Sequence, residues 1–195
     1  MSIGSVDPDI VTAALKALAL DGVSVRESAH EVPAKPGLYA LKANAHTWEL
    51  LGLGLPPDGR PLYVGKAEDS LGTRDVKTHF GTGRTGSSTV RRTIGALLAD
   101  QLDLVAQPRN PAKPGYFSNY GFELAGDARL TEWMLDHLKL ATWVPPSEVV
   151  LDEIETEVVQ TLGPPLNVAK VRTPWGSAVS AARKRQAAAA RRWAT

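Results

Sequence analysis

Between residues 81 and 92 the sequence gathers groups suited to holding an anion. Gly81-Thr82-Gly83-Arg84-Thr85-Gly86 is followed by Ser87-Ser88-Thr89 and then by Arg91 and Arg92. The glycines spell G-x-G-x-x-G, the dinucleotide fingerprint. That loop must leave a buried strand, however, and this one leaves a helix-prone segment ending Thr78-His79-Phe80. No Gly-Lys-Ser/Thr follows to make a P-loop. A phosphate-binding turn suits the residues better. Glycines expose backbone N–H groups, a serine caps the next helix, and a helix N-terminus favours an anion. Arg91 and Arg92 fall in the first turn of that helix, where the macrodipole disfavours cations, and a phosphate between them would resolve the conflict. Arg84, Ser87, Ser88, Arg91 and Arg92 are therefore candidate contacts to a polyanion. The bland alternative is a flexible loop with two solvated arginines. Other chemistries are excluded by composition. There is no cysteine, so thiol nucleophiles, disulfide scaffolds and Cys-ligated zinc are out. The four histidines, His30, His46, His79 and His137, have no metal-ligand spacing.

A second set of residues is more dispersed but more specific in its order. Gly37-Leu38-Tyr39 is followed by Tyr63-Val64-Gly65-Lys66, then by Arg74 and His79, then by Glu155, and finally by Pro164-Pro165-Leu166-Asn167. This order, with twelve residues from Glu155 to Asn167, resembles the GIY-YIG nuclease superfamily over residues 36–170. Within it the chain is similar to the incision domain of excision-repair nucleases and to small stand-alone endonucleases. The tyrosines are 24 residues apart, wider than the family usually has, and His79 lies five residues after Arg74 instead of one α-helical turn.

The resemblance implies a divalent-metal-dependent DNA endonuclease. In that role Tyr63 is the general base with Tyr39 in support, Arg74 the phosphate clamp, Glu155 the ligand for Mg²⁺ or Mn²⁺, and Asn167 a brace. Lys66 and His79 join the catalytic set. The residue types suit phosphodiester hydrolysis. A hard dication binds through one carboxylate plus water and phosphate, arginine makes a planar bidentate clamp, and a tyrosine beside a cation such as Lys66 can take a proton from water. Glu153 and Glu157 are the other acids that could fill the place of Glu155. Two further readings stand beside this one, a sequence-specific restriction endonuclease and a non-catalytic nucleic-acid-binding module. RNA remains open as the polymer.

The charge distribution agrees with a polyanionic partner. The formal net charge is only +1, yet the last 25 residues carry Arg172, Arg183, Lys184, Arg185, Arg191 and Arg192 with no acid. Arg183, Lys184 and Arg185 are added to the DNA-contacting candidates.

The elements needed to position these groups can be sketched. Asp7-Pro8 starts a helix that ends near Asp21-Gly22. Residues 23–33 alternate and read as extended. Residues 38–41 and 62–64 read as short strands able to pair, the second stopped by Gly65. Helices are expected over 70–80, 89–98, 131–140 and 146–162, with a Pro/Gly-rich loop over 106–121 and a helix-prone tail from Ser177. Trp175 and Trp193 are either base-stacking or core residues. The expected fold is α/β (α+β): a small, mainly antiparallel sheet flanked by helices, with an N-terminal extension over 1–30, the nuclease-like domain over 31–170 and a basic tail over 171–195. No apolar run is long enough for a membrane span, and a cytoplasmic location is expected.

Overall fold

The computed structural model describes residues 6–28, 32–72, 78–110, 112–113, 117–146 and 149–193. Helix α1 (Pro8–Ala19) starts as its sequence dictates, with the Asp7 side chain accepting the Asp9 N–H at 2.9 Å and proline in the first turn. Its C-terminal carbonyls are satisfied by Lys42, whose Nζ donates to Ala19 O and Leu20 O. β1 (Val23–Ser24) is only two residues long. It runs directly into α2 (Val25–Ser28), so only the start of the segment expected to be extended over residues 23–33 is a strand, and Val25–Ser28 is a helical turn.

Three longer strands complete the main sheet: β2 (Gly37–Lys42), β3 (Tyr63–Ala67) and β6 (Lys139–Trp143). The order is β1-β6-β2-β3, all pairs antiparallel. β3 is thus an edge strand, and it continues through Gly65 where the sequence suggested a stop. Opposite β2, the register sets Tyr39 against Gly65 and Leu41 against Tyr63. Both tyrosines therefore lie on one face of the sheet.

That face packs on α3 (Ala45–Leu50), α4 (Thr89–Leu97), α5 (Leu124–His137) and α7 (Gly176–Trp193), with Leu41, Trp48, Ile94, Leu130 and Val179 wholly buried. The opposite face, through Leu38, Ala40 and Val64, packs on α1 and α6 (Leu151–Leu162). A separate pair, β4 (Ala106–Gln107) and β5 (Gly121–Phe122), lies inside the stretch expected to be loop. Among the described residues there are seven helices and six strands in two antiparallel sheets, a mixed α/β fold of the expected kind.

Two elements differ from expectation in a way that matters. The helix expected over 131–140 begins earlier, at Leu124, and ends at His137; Lys139–Trp143 then becomes a strand held between β1 and β2. The terminal helices, expected as additions, are also part of the core. Ala14 and Leu18 of α1 and Val179, Ala182 and Ala190 of α7 are buried, and α7 lies along α4 and β4.

Candidate active site

The two signature glycines have packing reasons to be glycine. A Cβ at Gly65 would run into the hydroxyl and ring of Tyr39 directly across the ladder. A Cβ at Gly37 would collide with the backbone carbonyl of Trp143 on β6. With neither side chain present, the Tyr39 ring lies over β3, and its centroid is 6.0 Å from that of Tyr63. Tyr39 is buried, whereas Tyr63 is half-buried.

Behind Tyr39 stands a buried polar chain. The Tyr39 hydroxyl and His79 Nε2 are hydrogen-bonded at 2.6 Å, and His79 Nδ1 is bonded to the Ser88 hydroxyl at 2.7 Å. Ser88 is also the N-cap of α4, accepting the Arg91 N–H at 3.2 Å. His79 reaches Tyr39 from backbone of unusual form. Gly72, Thr78 and His79 have π-helical geometry. Arg74, the expected clamp, lies outside the described residues.

On the free edge of β3, Asn167 imitates a neighbouring strand. Its carbonyl oxygen accepts the Val64 N–H at 2.9 Å and its amide donates to Val64 O at 2.7 Å. Leu166 N–H donates to Leu62 O beside it. This satisfies an edge that would otherwise leave backbone groups open.

Across that edge opens a cleft of about 520 Å³, lined among others by Tyr39, Tyr63, Lys66, Asp152, Glu155 and Lys170. Glu155 projects from the buried stripe of α6, Leu151–Ile154–Glu155–Val158–Val159, and is itself buried. Glu153 and Glu157 point away and are exposed. Lys170 Nζ donates to Glu155 Oε2 at 2.7 Å and lies 3.4 Å from Asp152 Oδ1. Lys66 Nζ sits between Glu68 at 2.6 Å and Asp152 at 3.1 Å. The Glu68 hydrogen bond holds the Lys66 ammonium above its ordinary range. Lys66, followed by Lys170, holds the exposed Asp152 carboxyl below its own. Asp152 and Lys170 were missed by sequence reasoning; Lys170 stands three residues after Asn167, a spacing that could have drawn attention to it.

The sequence profile of the GIY-YIG catalytic domain matches residues 58–185, about two thirds of the chain. The chain belongs to the GIY-YIG family. Neither the curated proteins nor the solved structures contain a match to it. The matched span begins after β2, so Tyr39 enters this GIY-YIG site through the sheet register. Membership makes the protein one of a nuclease family that acts on nucleic acid and generally uses divalent metal ions.

The cleft of this GIY-YIG domain fits such an ion in one way only. Among the described residues no three His, Asp or Glu side chains cluster as a ready-made cage. Glu155 is the buried carboxylate at the cleft, and one such ligand suits a hard dication that keeps its waters and completes its shell with substrate phosphate.

The expected DNA-contacting residues of the GIY-YIG domain divide sharply. Arg84 and Ser87 are exposed, as are Lys184 and Arg185 of α7, and Arg183 is half-buried. Ser88 is buried as cap and histidine partner. Arg91 is fully buried. Its guanidinium donates to Thr85 Oγ1, His79 O, Asp127 O and Thr131 Oγ1 and pairs with Asp127 Oδ2 at 3.2 Å. Asp127 in turn accepts from the Gly83 N–H and the Thr85 hydroxyl. The conflict of a cation in the first turn of α4 is thus resolved by an aspartate of α5, and the expected phosphate contact of Arg91 is corrected accordingly. Burial still lowers the Arg91 pKa, with Asp127 opposing the shift. Arg92 is nearly as buried, and its NH1 donates to Thr85 O and Gly86 O, so it too holds the loop from inside. Trp175 is half-buried and packs against the core, edge-on to Trp48 with its Nε1–H donating to Leu53 O.

Because Arg91 has no exposure, Asp127→Ala leaves a buried charge uncompensated. A loss of about 3–5 kcal/mol in unfolding free energy is expected from denaturant titration. An unchanged midpoint would mean that the hydrogen bonds donated by Arg91 and Arg92 suffice to hold the 81–88 loop without Asp127.

Proposed function

We propose that this protein is a divalent-metal-dependent endonuclease that hydrolyses phosphodiester bonds of DNA. The observation that carries the reading is the meeting of Tyr39, Tyr63, Lys66 and Glu155 in one cleft, although they come from separate parts of the chain. The Tyr63 side chain, acting as its phenolate oxygen, takes the proton of the attacking water. Lys66 and Lys170 line the same cleft as Tyr63. Tyr39, fixed through His79 and Ser88, keeps the first ring in place behind it. Glu155 holds the ion, Mg²⁺ or Mn²⁺, which when bound supplies Lewis-acid stabilisation of the phosphate. Asn167 keeps β3, and with it Tyr63, in register against the turn that carries Lys170. Arg74 keeps the clamp role that its sequence position implies.

Supercoiled plasmid and a matched RNA, each incubated with Mg²⁺ or Mn²⁺ with and without chelator, test this directly. Metal-dependent nicking or linearisation of the plasmid is expected. Binding without cleavage under any divalent ion would instead make the protein a nucleic-acid-binding module, and cleavage of RNA alone would change the substrate.

The exposed cations of α7 supply affinity in this reading. They contact backbone phosphates, which carry no sequence information. Deleting α7 is not a clean test, because its buried face belongs to the core. The double substitution Lys184→Gln, Arg185→Gln removes charge only. The salt dependence of DNA affinity, followed by fluorescence anisotropy, is expected to flatten by roughly one slope unit per lost phosphate contact. An unaltered slope would take α7 off the binding surface.

A further inference from the structure

We propose that Lys170 is a resident cation that occupies Glu155 in the metal-free protein and exchanges with the metal ion when one binds. The inference rests on the reading of Glu155 as a metal ligand. It starts from the cost of a buried carboxylate. The Glu155 side chain is 7% exposed, and a charge held so far from water must be paired. Lys170 provides that partner at 2.7 Å on Oε2.

A dication and an ammonium competing for one carboxylate repel each other, so loading the site requires Lys170 to move. The structure makes that movement easy. The Lys170 backbone is fixed, its N–H donating to Asn167 O at 2.9 Å on a turn whose asparagine is tied to β3. Its side chain is 34% exposed on a flexible four-carbon stem. A second carboxylate, Asp152, already stands 3.4 Å from Nζ. The five groups Glu68, Lys66, Asp152, Lys170 and Glu155 alternate in sign along the cleft, so Lys170 can leave Glu155 and still face an acid. Once released, the ammonium stands in the same cleft that a substrate phosphate must enter. Metal loading would thereby free a phosphate-binding cation, which couples the two ligands through one side chain.

The test uses the full chain and Mn²⁺ as the probe, read by electron paramagnetic resonance of free ion and by thermal melts with and without Mn²⁺. Lys170→Met keeps the stem and removes the charge. It is expected to bind Mn²⁺ at least roughly tenfold more tightly than the parent, the scale on which one nearby charge shifts a carboxylate. Its metal-free melting temperature should fall, and Mn²⁺ should raise it by more than in the parent. Lys170→Arg, whose planar fork grips a carboxylate with two hydrogen bonds, should weaken Mn²⁺ binding, and it serves if the methionine variant does not fold. Glu155→Gln separates the two levels of the argument. If it abolishes Mn²⁺ binding while both Lys170 variants bind like the parent, or if Lys170→Met binds more weakly, the exchange is wrong and Glu155 remains the ligand. If all four proteins bind Mn²⁺ alike, Glu155 is not the ligand and both readings fall.

Discussion

Tyr63→Phe is expected to slow DNA cleavage by about 10²–10⁴-fold, the range associated with removing a positioned proton acceptor. The fold should be indifferent to the change. Tyr63 sits at the first position of β3, opposite Leu41, and is only half-buried; its ring, 6.0 Å from that of Tyr39, is retained. Circular dichroism and the melting temperature should therefore match the parent. Tyr39→Phe gives the contrast. Its hydroxyl is the 2.6 Å partner of a buried imidazole, so its loss costs about 1–3 kcal/mol of stability as well as rate. If Tyr63→Phe cuts at the parental rate and Tyr39→Phe does not cut at all, the base is Tyr39 and the half-buried ring is only a wall of the cleft.

How much of this was legible in the sequence depends on how local the controlling interaction is. The two short strands could be read because each carries β-forming residues beside a glycine, and their pairing follows from those signals. The exchange of a strand for the end of a helix at Lys139–Trp143 could not. Lys-Leu-Ala-Thr-Trp continues the apolar spacing of the helix before it, and only pairing with β1 on one side and β2 on the other turns it extended. Arg91 shows the same limit in electrostatics. A cation in the first turn of α4 suggested a bound phosphate between Arg91 and Arg92, but Arg91 pairs with an aspartate 36 residues away on α5, where Asp127 looks like any helical acid. The packing of the basic tail was hidden for a compositional reason. Alanine is a strong helix former with little apolar bulk, so nothing in the sequence marks Ala182 and Ala190 as the buried side of α7. Lys170 lies beyond the last signature residue, and its meaning appears only when Asn167 folds that turn against β3.

Glu155→Ala is expected to lower metal-dependent cleavage by at least about 10³-fold, since a metal ion at the reacting phosphate contributes several kcal/mol and each 1.4 kcal/mol is tenfold in rate. The register of α6 makes the comparison sharp. Leu151, Ile154, Val158 and Val159 form its buried stripe, and Glu155 is the acid within it. Glu153 and Glu157 are exposed on the opposite side, so Glu153→Ala and Glu157→Ala should cut at the parental rate. DNA affinity of Glu155→Ala, measured by anisotropy without metal, should equal or exceed that of the parent, because one negative charge facing the phosphates is gone. Stability should change little. The alanine suits an apolar stripe, and Lys170, already a third exposed, keeps Asp152 as a partner. If Glu155→Ala retains metal-dependent cleavage while Asp152→Ala loses it, the ion is held at the outer acid of the cleft, and the buried carboxylate serves only to anchor Lys170.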